Sequence, residues 1–93
     1  MEIKHKSEGN KGRFYIEKDN KIIAEMTYVW AGDTRIIIDH TEVDISLKGQ
    51  GVGKKLVIEA VNFAREKGIK IMPLCPFAQA VFDKEKDFSD VLF

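Results

Sequence analysis

The chain has 93 residues, 15 Lys and Arg against 15 Asp and Glu, 44% hydrophobic and 32% charged residues. This length supports one domain, residues 1–93, with one modest core, and a net charge of zero leaves no global basic field to hold nucleic acid. No apolar run is long enough to cross a bilayer, and the opening MEIKHKSEG lacks the apolar stretch of a signal peptide.

The single cysteine, Cys75, builds no disulfide framework and fits a reducing cytoplasm. Residues 1–11 are polar, with a short strand expected at Ile3–Lys6 and a loose chain around it. Arg13–Lys18 is rich in β-formers, and Asp19-Asn20 is a turn signal leading to a strand at Ile22–Trp30. In that strand Ile22, Ala24, Met26, Tyr28 and Trp30 fall on one face by strict alternation. After the turn Ala31-Gly32-Asp33, a long β run covers Thr34–Ile45, so three sequential strands form an antiparallel meander.

Apolar residues Val52, Leu56, Ala60, Phe63 and Ala64, widened by Val57 and Val61, recur at helical spacing from about Gly51 to Lys67. Gly68 is the expected C-terminal stop. Ile69–Pro73 reads as a short strand returning parallel to the strand before the helix, a β-α-β unit. Pro76–Lys84 reads as a second helix with proline in its first turn. The order β-β-β-α-β-α predicts an α+β fold, a mixed sheet with two helices.

Between the meander and the first helix lies Lys48-Gly49-Gln50-Gly51-Val52-Gly53-Lys54-Lys55. Glycines let backbone approach a ligand, and a helix N-terminus offers free N–H groups and partial positive charge. Lys54 and Lys55 oppose the helix dipole unless an anion lies nearby. The loop reads as a phosphate cradle, although an ordinary strand-to-helix turn would also use glycine. The P-loop pattern G-x-x-x-x-G-K-(S/T) fails twice, because Lys48 stands at its first glycine and Lys55 at its hydroxyl position. The dinucleotide pattern G-x-G-x-x-G fails from Gly49, which meets Lys54, and from Gly51, which meets Leu56.

Lys48-Gln50-Gly51-Gly53 resembles the (Q/R)-x-x-G-x-(G/A) loop of the GCN5-related N-acetyltransferases (GNATs). The stretch from Val43 to Gly53 resembles that family's V-D-P-x-x-R-G-x-G-I-G, with Ile45 in place of proline and Lys48 in place of arginine or glutamine. Ala80 to Phe88 is similar to A-x-x-F-Y-E-K-x-G-F, one residue shorter. Asp39-His40-Thr41-Glu42-Val43, Cys75-Pro76 and the stop at Phe93 are similar to a miniature single-domain branch, truncated after the second helix. The resemblance implies an N-acetyltransferase with acetyl-CoA as cosubstrate. It places the pyrophosphate on Lys48, Gly49, Gln50, Gly51, Val52, Gly53 and Lys54, chiefly through backbone, and the pantetheine arm along the backbone of Val43 and Ile45.

The same resemblance puts the thioester near Cys75. A thiol there accepts acetyl groups only with a base, for which His40 is the candidate, or His40 acts directly on the amine. The plainer readings are a buried small hydrophobe for Cys75 and a structural side chain for His40. The tyrosine with which many family members protonate the CoA thiolate is replaced by Phe82-Asp83, and no tyrosine follows Tyr28. Phe77 and Phe82 are expected to pack on the core or beside the CoA arm. Glu42 and Asp44 are candidates to attract a cationic amine, or are plain exposed strand residues. His5, between Lys4 and Lys6, reads as a solvated surface residue. No metal-ligand spacing is present.

Three functions compete. One is transfer of acetyl from acetyl-CoA to an unidentified amine, possible acceptors including a protein or peptide. The second is a CoA-binding module with little turnover. The third is a nucleotide-binding module, which the failed spacings disfavour. Neither nucleic acid nor membrane is an expected partner, and an exposed sheet edge leaves monomer or weak homodimer open.

Overall fold

A computed structural model of the chain describes residues 2–93, leaving Met1 outside. Five strands form one sheet in chain order: β1 Lys4–Glu8, β2 Lys11–Lys18, β3 Lys21–Trp30, β4 Arg35–Val43 and β5 Lys70–Pro73. Helix α1 spans Val52–Lys67 between β4 and β5, and α2 spans Pro76–Lys84 after β5. The first four strands pair antiparallel, and β5 pairs parallel with β4. The α+β fold expected from the sequence is therefore present, with one strand more than the meander required. That strand is β1, which pairs along its length with β2, from Lys4 opposite Tyr15 to Glu8 opposite Lys11.

Local signals placed the remaining elements closely. Asp19 and Asn20 both hold positive φ, 53° and 63°, as a tight hairpin turn needs. Gly68 ends α1 in the left-handed conformation with its N–H on Ala64 O. The apolar stripe of α1 is buried at Val52, Leu56, Val57, Ala60, Val61 and Ala64. These residues join Met26, Tyr28, Ile36, Ile38 and Ile71 from the sheet and Ala78 and Phe82 from α2 in one core.

Two β-bulges break the alternation that the sequence suggested. Ile16 pairs with Ala24 and Glu17 with Ile22, so Ile23 is an extra residue in β3. Ile22 thereby leaves the core face and is 38% exposed, while Ile23 packs against the core. In β4, Ile38 pairs with Tyr28 and His40 with Thr27, which leaves Asp39 as the extra residue. A bulge shifts the side-chain phase by one residue and re-aims the rest of the strand. Thr41 and Val43, opposite Met26 and Ala24, therefore take the helix-facing side.

His5 is exposed, as expected of a surface residue, but its ring is not merely solvated. Its ring stacks on Phe14 with centroids 4.2 Å apart, and Nε2 lies 2.6 Å from the hydroxyl of the buried Tyr28. His5 pairs directly with Phe14 across the strands, so its side chain falls on the core face. It ties the edge strand β1 to the core.

Candidate functional site

β5 stops at Pro73, opposite Ile38, while β4 runs on to Val43. The N–H groups of Leu74 and Cys75 both donate to Ile38 O, at 2.9 and 3.2 Å, and the chain then turns into α2. From Asp39 to Val43, β4 has β3 on one side and no strand on the other. A gap thus opens inside the sheet between the end of β4 and the start of α2.

The glycine loop lies at the far end of this gap. The β run ends at Val43, two residues earlier than the sequence suggested, and Ile45–Leu47 forms a single 3-10 turn. Asp44 starts that turn by accepting the Ser46 N–H at 2.9 Å, and this bond holds its carboxyl below the usual carboxylate range. Ile45 is 83% exposed and its carbonyl accepts from Lys48, which corrects the expectation of a strand residue there.

Gly49 and Gly51 adopt φ of 83° and 68°, a left-handed conformation costly for other residues. Gly51 is the N-terminal cap of α1 and supplies no side-chain acceptor. The first N–H groups of a helix have no partner within it, so those of Val52, Gly53 and Lys54 remain as donors. Gly53 serves a different purpose: a Cβ there would lie 2.5 Å from Cζ of Phe77. The small residue lets α2 lay an aromatic ring across the first turn of α1.

These elements enclose a groove of about 520 Å³. Its walls are Thr41 and Val43 of β4, Leu47 and Gly51 of the loop, Val52 to Lys54 of α1, and Phe77, Ala80, Val81, Lys84 and Glu85 along α2. The lining is mostly apolar, with cations at the end where α1 begins. Lys54 is held there by Glu85, Nζ to Oε2 3.3 Å. A second concavity of about 330 Å³ opens on the other face of the sheet, between Lys6, Glu8, Lys11, Arg13 and Asp39. It touches neither the glycine loop nor α1, and the groove is therefore the site to which the loop belongs.

The structure brings Cys75 to the groove's edge but not His40. Cys75 is buried, caps α2 by accepting the Ala78 N–H at 3.4 Å, and lies 3.3 Å from Thr41 Oγ1. His40 precedes Thr41 and so points to the opposite face, in the row of Thr27. Without the bulge, His40 would be in phase with Ile36 and Ile38 and would share Cys75's side; the extra residue Asp39 removes it. Asp39 itself accepts a 2.6 Å hydrogen bond from Thr27 Oγ1. Glu42 lies on that same outer face, opposite Glu25, whose carboxylate is already bound to Arg13 at 2.8 Å. Lys48, Gly49 and Gln50 are exposed on the loop.

Phe82 is a core residue, edge-on to Phe88 with centroids 6.0 Å apart, whereas Phe77 is the ring that lines the groove. Thr41 and Glu85 were not singled out from the sequence. Thr41 was hidden by the bulge, and Glu85 joins the site only because α2 ends beside the first turn of α1. Among the described residues no group of His, Cys, Asp and Glu is arranged to hold a metal, and no helix is long and apolar enough to cross a membrane.

Comparison with known proteins agrees with this geometry. A family model described as GCN5-related N-acetyl-transferase matches residues 13–91. A GCN5-like protein from Staphylococcus aureus, solved by NMR, is 40% identical with a TM-score of 0.74, covering 97% of this chain and 87% of that one. A protein from Clostridium acetobutylicum described as a predicted acetyltransferase, crystallised with acetyl-CoA, is 21% identical with a TM-score of 0.65, over 81% of this chain and 56% of that one. The ribosomal-protein-S18-alanine N-acetyltransferase of Escherichia coli is 16% identical with a TM-score of 0.67, over 84% and 53%. The last two share the fold, and this chain spans about half their length. Among curated proteins no relative matches.

Proposed function

Because this chain belongs to the GCN5-related N-acetyltransferase family, whose members generally transfer acetyl from acetyl-CoA, we propose that its groove binds acetyl-CoA and that it transfers the acetyl group to an amine. The observation that carries this reading is the open edge of β4 from Asp39 to Val43, running between Cys75 and the free N–H groups of α1. An unpaired strand edge offers a row of main-chain donors and acceptors, which an extended arm bearing amides can pair with like an added strand. Val43 belongs to that edge; Ile45, in the 3-10 turn, does not. The N-terminus of α1, with Gly49 to Lys54 before and within its first turn, suits a diphosphate.

Acetyl-CoA supplies an activated thioester. The chain's own residues bind and orient it: Val43 by main chain, Gly51 to Lys54 by N–H groups, and Phe77, Ala80 and Val81 by apolar contact that excludes water. The acceptor amine approaches from the outer face of the sheet, where β1 to β4 carry exposed charged side chains and Asp39, His40 and Glu42 stand beside the gap. There His40 takes a proton from the incoming amine as general base while the nitrogen bonds to the thioester carbon; the C–S bond breaks and CoA leaves as its thiolate, which takes a proton from water. Cys75, held by Thr41 and the Ala78 N–H, packs beside the thioester and is not the acceptor of acetyl. A main-chain N–H of the β4 edge polarises the thioester carbonyl.

Isothermal calorimetry with acetyl-CoA tests the reading. Saturable binding is expected, and no heat at high micromolar ligand would remove it.

One observation favours a second reading, a CoA-binding module with little turnover. No tyrosine lines the groove, and the hydroxyl of Tyr28 is engaged by His5 in the core. Binding of CoA with no acetyl transfer across a panel of peptides and small amines would select it.

A further inference from the structure

Lys54 and Glu85 come from different helices and meet at the phosphate end of the groove. Lys54 is in the first turn of α1, and Glu85 is the residue that ends α2. Each is unfavourable in its own helix: a cation near an N-terminus and a carboxylate near a C-terminus both oppose the dipole. Their contact, Nζ to Oε2 3.3 Å, offsets both penalties. The pair is partly exposed, with side chains 48% and 27% accessible, so it is weak and exchangeable. The backbone of Glu85 is fixed by its N–H on Val81 O at 2.8 Å, which sets the direction in which Lys54 is drawn.

We propose that Glu85 is a positioning and specificity-determining residue that holds the Lys54 ammonium group off the N-terminus of α1 until a diphosphate displaces it. This rests on the acyl-CoA reading of the groove. A monoanion replaces one charge by one and gains little from the exchange. A diphosphate brings two charges, one for the helix N-terminus and one for Lys54. Substrate and product CoA carry the same diphosphate, so Glu85 weakens both alike. Its effect belongs in KM and product residence and not in the chemical step.

Titration with inorganic pyrophosphate of the wild type, Glu85→Gln, Lys54→Met and the double variant tests this. Glu85→Gln is expected to tighten pyrophosphate about 3- to 5-fold, since one weak ion pair no longer has to be broken. In the Lys54→Met background the same change should alter affinity by less than about twofold, because the effect passes through Lys54. In turnover, Glu85→Gln should lower KM for acetyl-CoA by a similar factor with kcat within about twofold. Unchanged or weaker binding in Glu85→Gln overturns the proposal, as does a gain that persists without Lys54. If the wild type binds CoA and Glu85→Gln changes nothing, only the role of Glu85 falls. If no cooperatively folded variant binds CoA or pyrophosphate, the acyl-CoA reading falls with it.

Discussion

Thr41 Oγ1 lies 3.3 Å from Cys75 Sγ, joining the open edge of β4 to the first residue of the α2 cap. The contact exists because Asp39 is an extra residue in β4 and turns Thr41 toward the helices. The thiol therefore has a hydroxyl and a backbone N–H as neighbours, and His40 lies on the other side of the sheet.

That arrangement makes Cys75 a capping residue first. Cys75→Ser should keep the cap and hold acetyl transfer within about threefold, while Cys75→Ala should cost about 0.5–1 kcal/mol of stability by loss of the cap. Thermal melts and transfer rates check this. Mass spectrometry after incubation with acetyl-CoA should show no adduct at Cys75; a stoichiometric adduct, with turnover abolished in Cys75→Ser, would make the thiol a nucleophile.

Gly53 gives a prediction in which stability and binding part company. Alanine there meets the tip of the Phe77 ring at 2.5 Å, and that ring is 42% exposed and free to tilt. The helix gains from replacing glycine by about 0.5–1 kcal/mol, which offsets the displacement of the ring. Gly53→Ala should thus melt within a few degrees of the wild type yet bind acetyl-CoA about tenfold more weakly, because the ring tilts into the groove. Adding Phe77→Ala should recover only part of the affinity, because it clears the groove but also removes the ring's apolar contact, as read by calorimetry.

His40 separates binding from chemistry. It does not line the groove. His40→Gln should leave CoA affinity within about twofold and lower kcat/KM for the amine about 100-fold, the usual scale of a lost general base. Equal kcat/KM in the two proteins would remove His40 from the reaction.

His5 predicts a pH dependence of folding. Burial against Phe14 and Tyr28 pushes its pKa below the ordinary imidazole value; Glu59 acts the other way and Lys67 adds to the lowering. The unfolded chain then binds the proton more readily than the folded one. This contribution to stability is present above about pH 6.5, the unfolded value, and is lost as pH falls through the lower folded value. His5→Gln keeps a polar partner for Tyr28 without titrating. Denaturant melts between pH 7.5 and 5 should show a smaller loss for this variant, and parallel curves would assign the dependence elsewhere.

Sequence and structure divide the account along physical lines. Helix α2 was legible to the residue, and α1 with its glycine stop nearly so, because caps, turns and apolar spacing act within a few residues. The glycine spacing likewise failed both nucleotide-loop patterns, and the left-handed backbone at Gly49 and Gly51 is a local property that glycine permits. The phase of β4 was not legible. Asp39 carries no mark of a bulge in the sequence, because a bulge is decided by how β3 and β4 pair, and it alone chose Thr41 over His40 as the neighbour of Cys75. A short strand was expected at Ile3–Lys6, but its extent to Glu8 and the place of His5 were settled by a partner strand and an aromatic cluster that no short window contains. So was the pairing of Lys54 with Glu85, residues 31 apart in the chain that meet only because α2 lies against α1. Local patterns in the chain were enough to specify the fold, the family and the glycine loop. Which side chains stand around that loop was left to long-range pairing and packing, because these set the direction in which each one points.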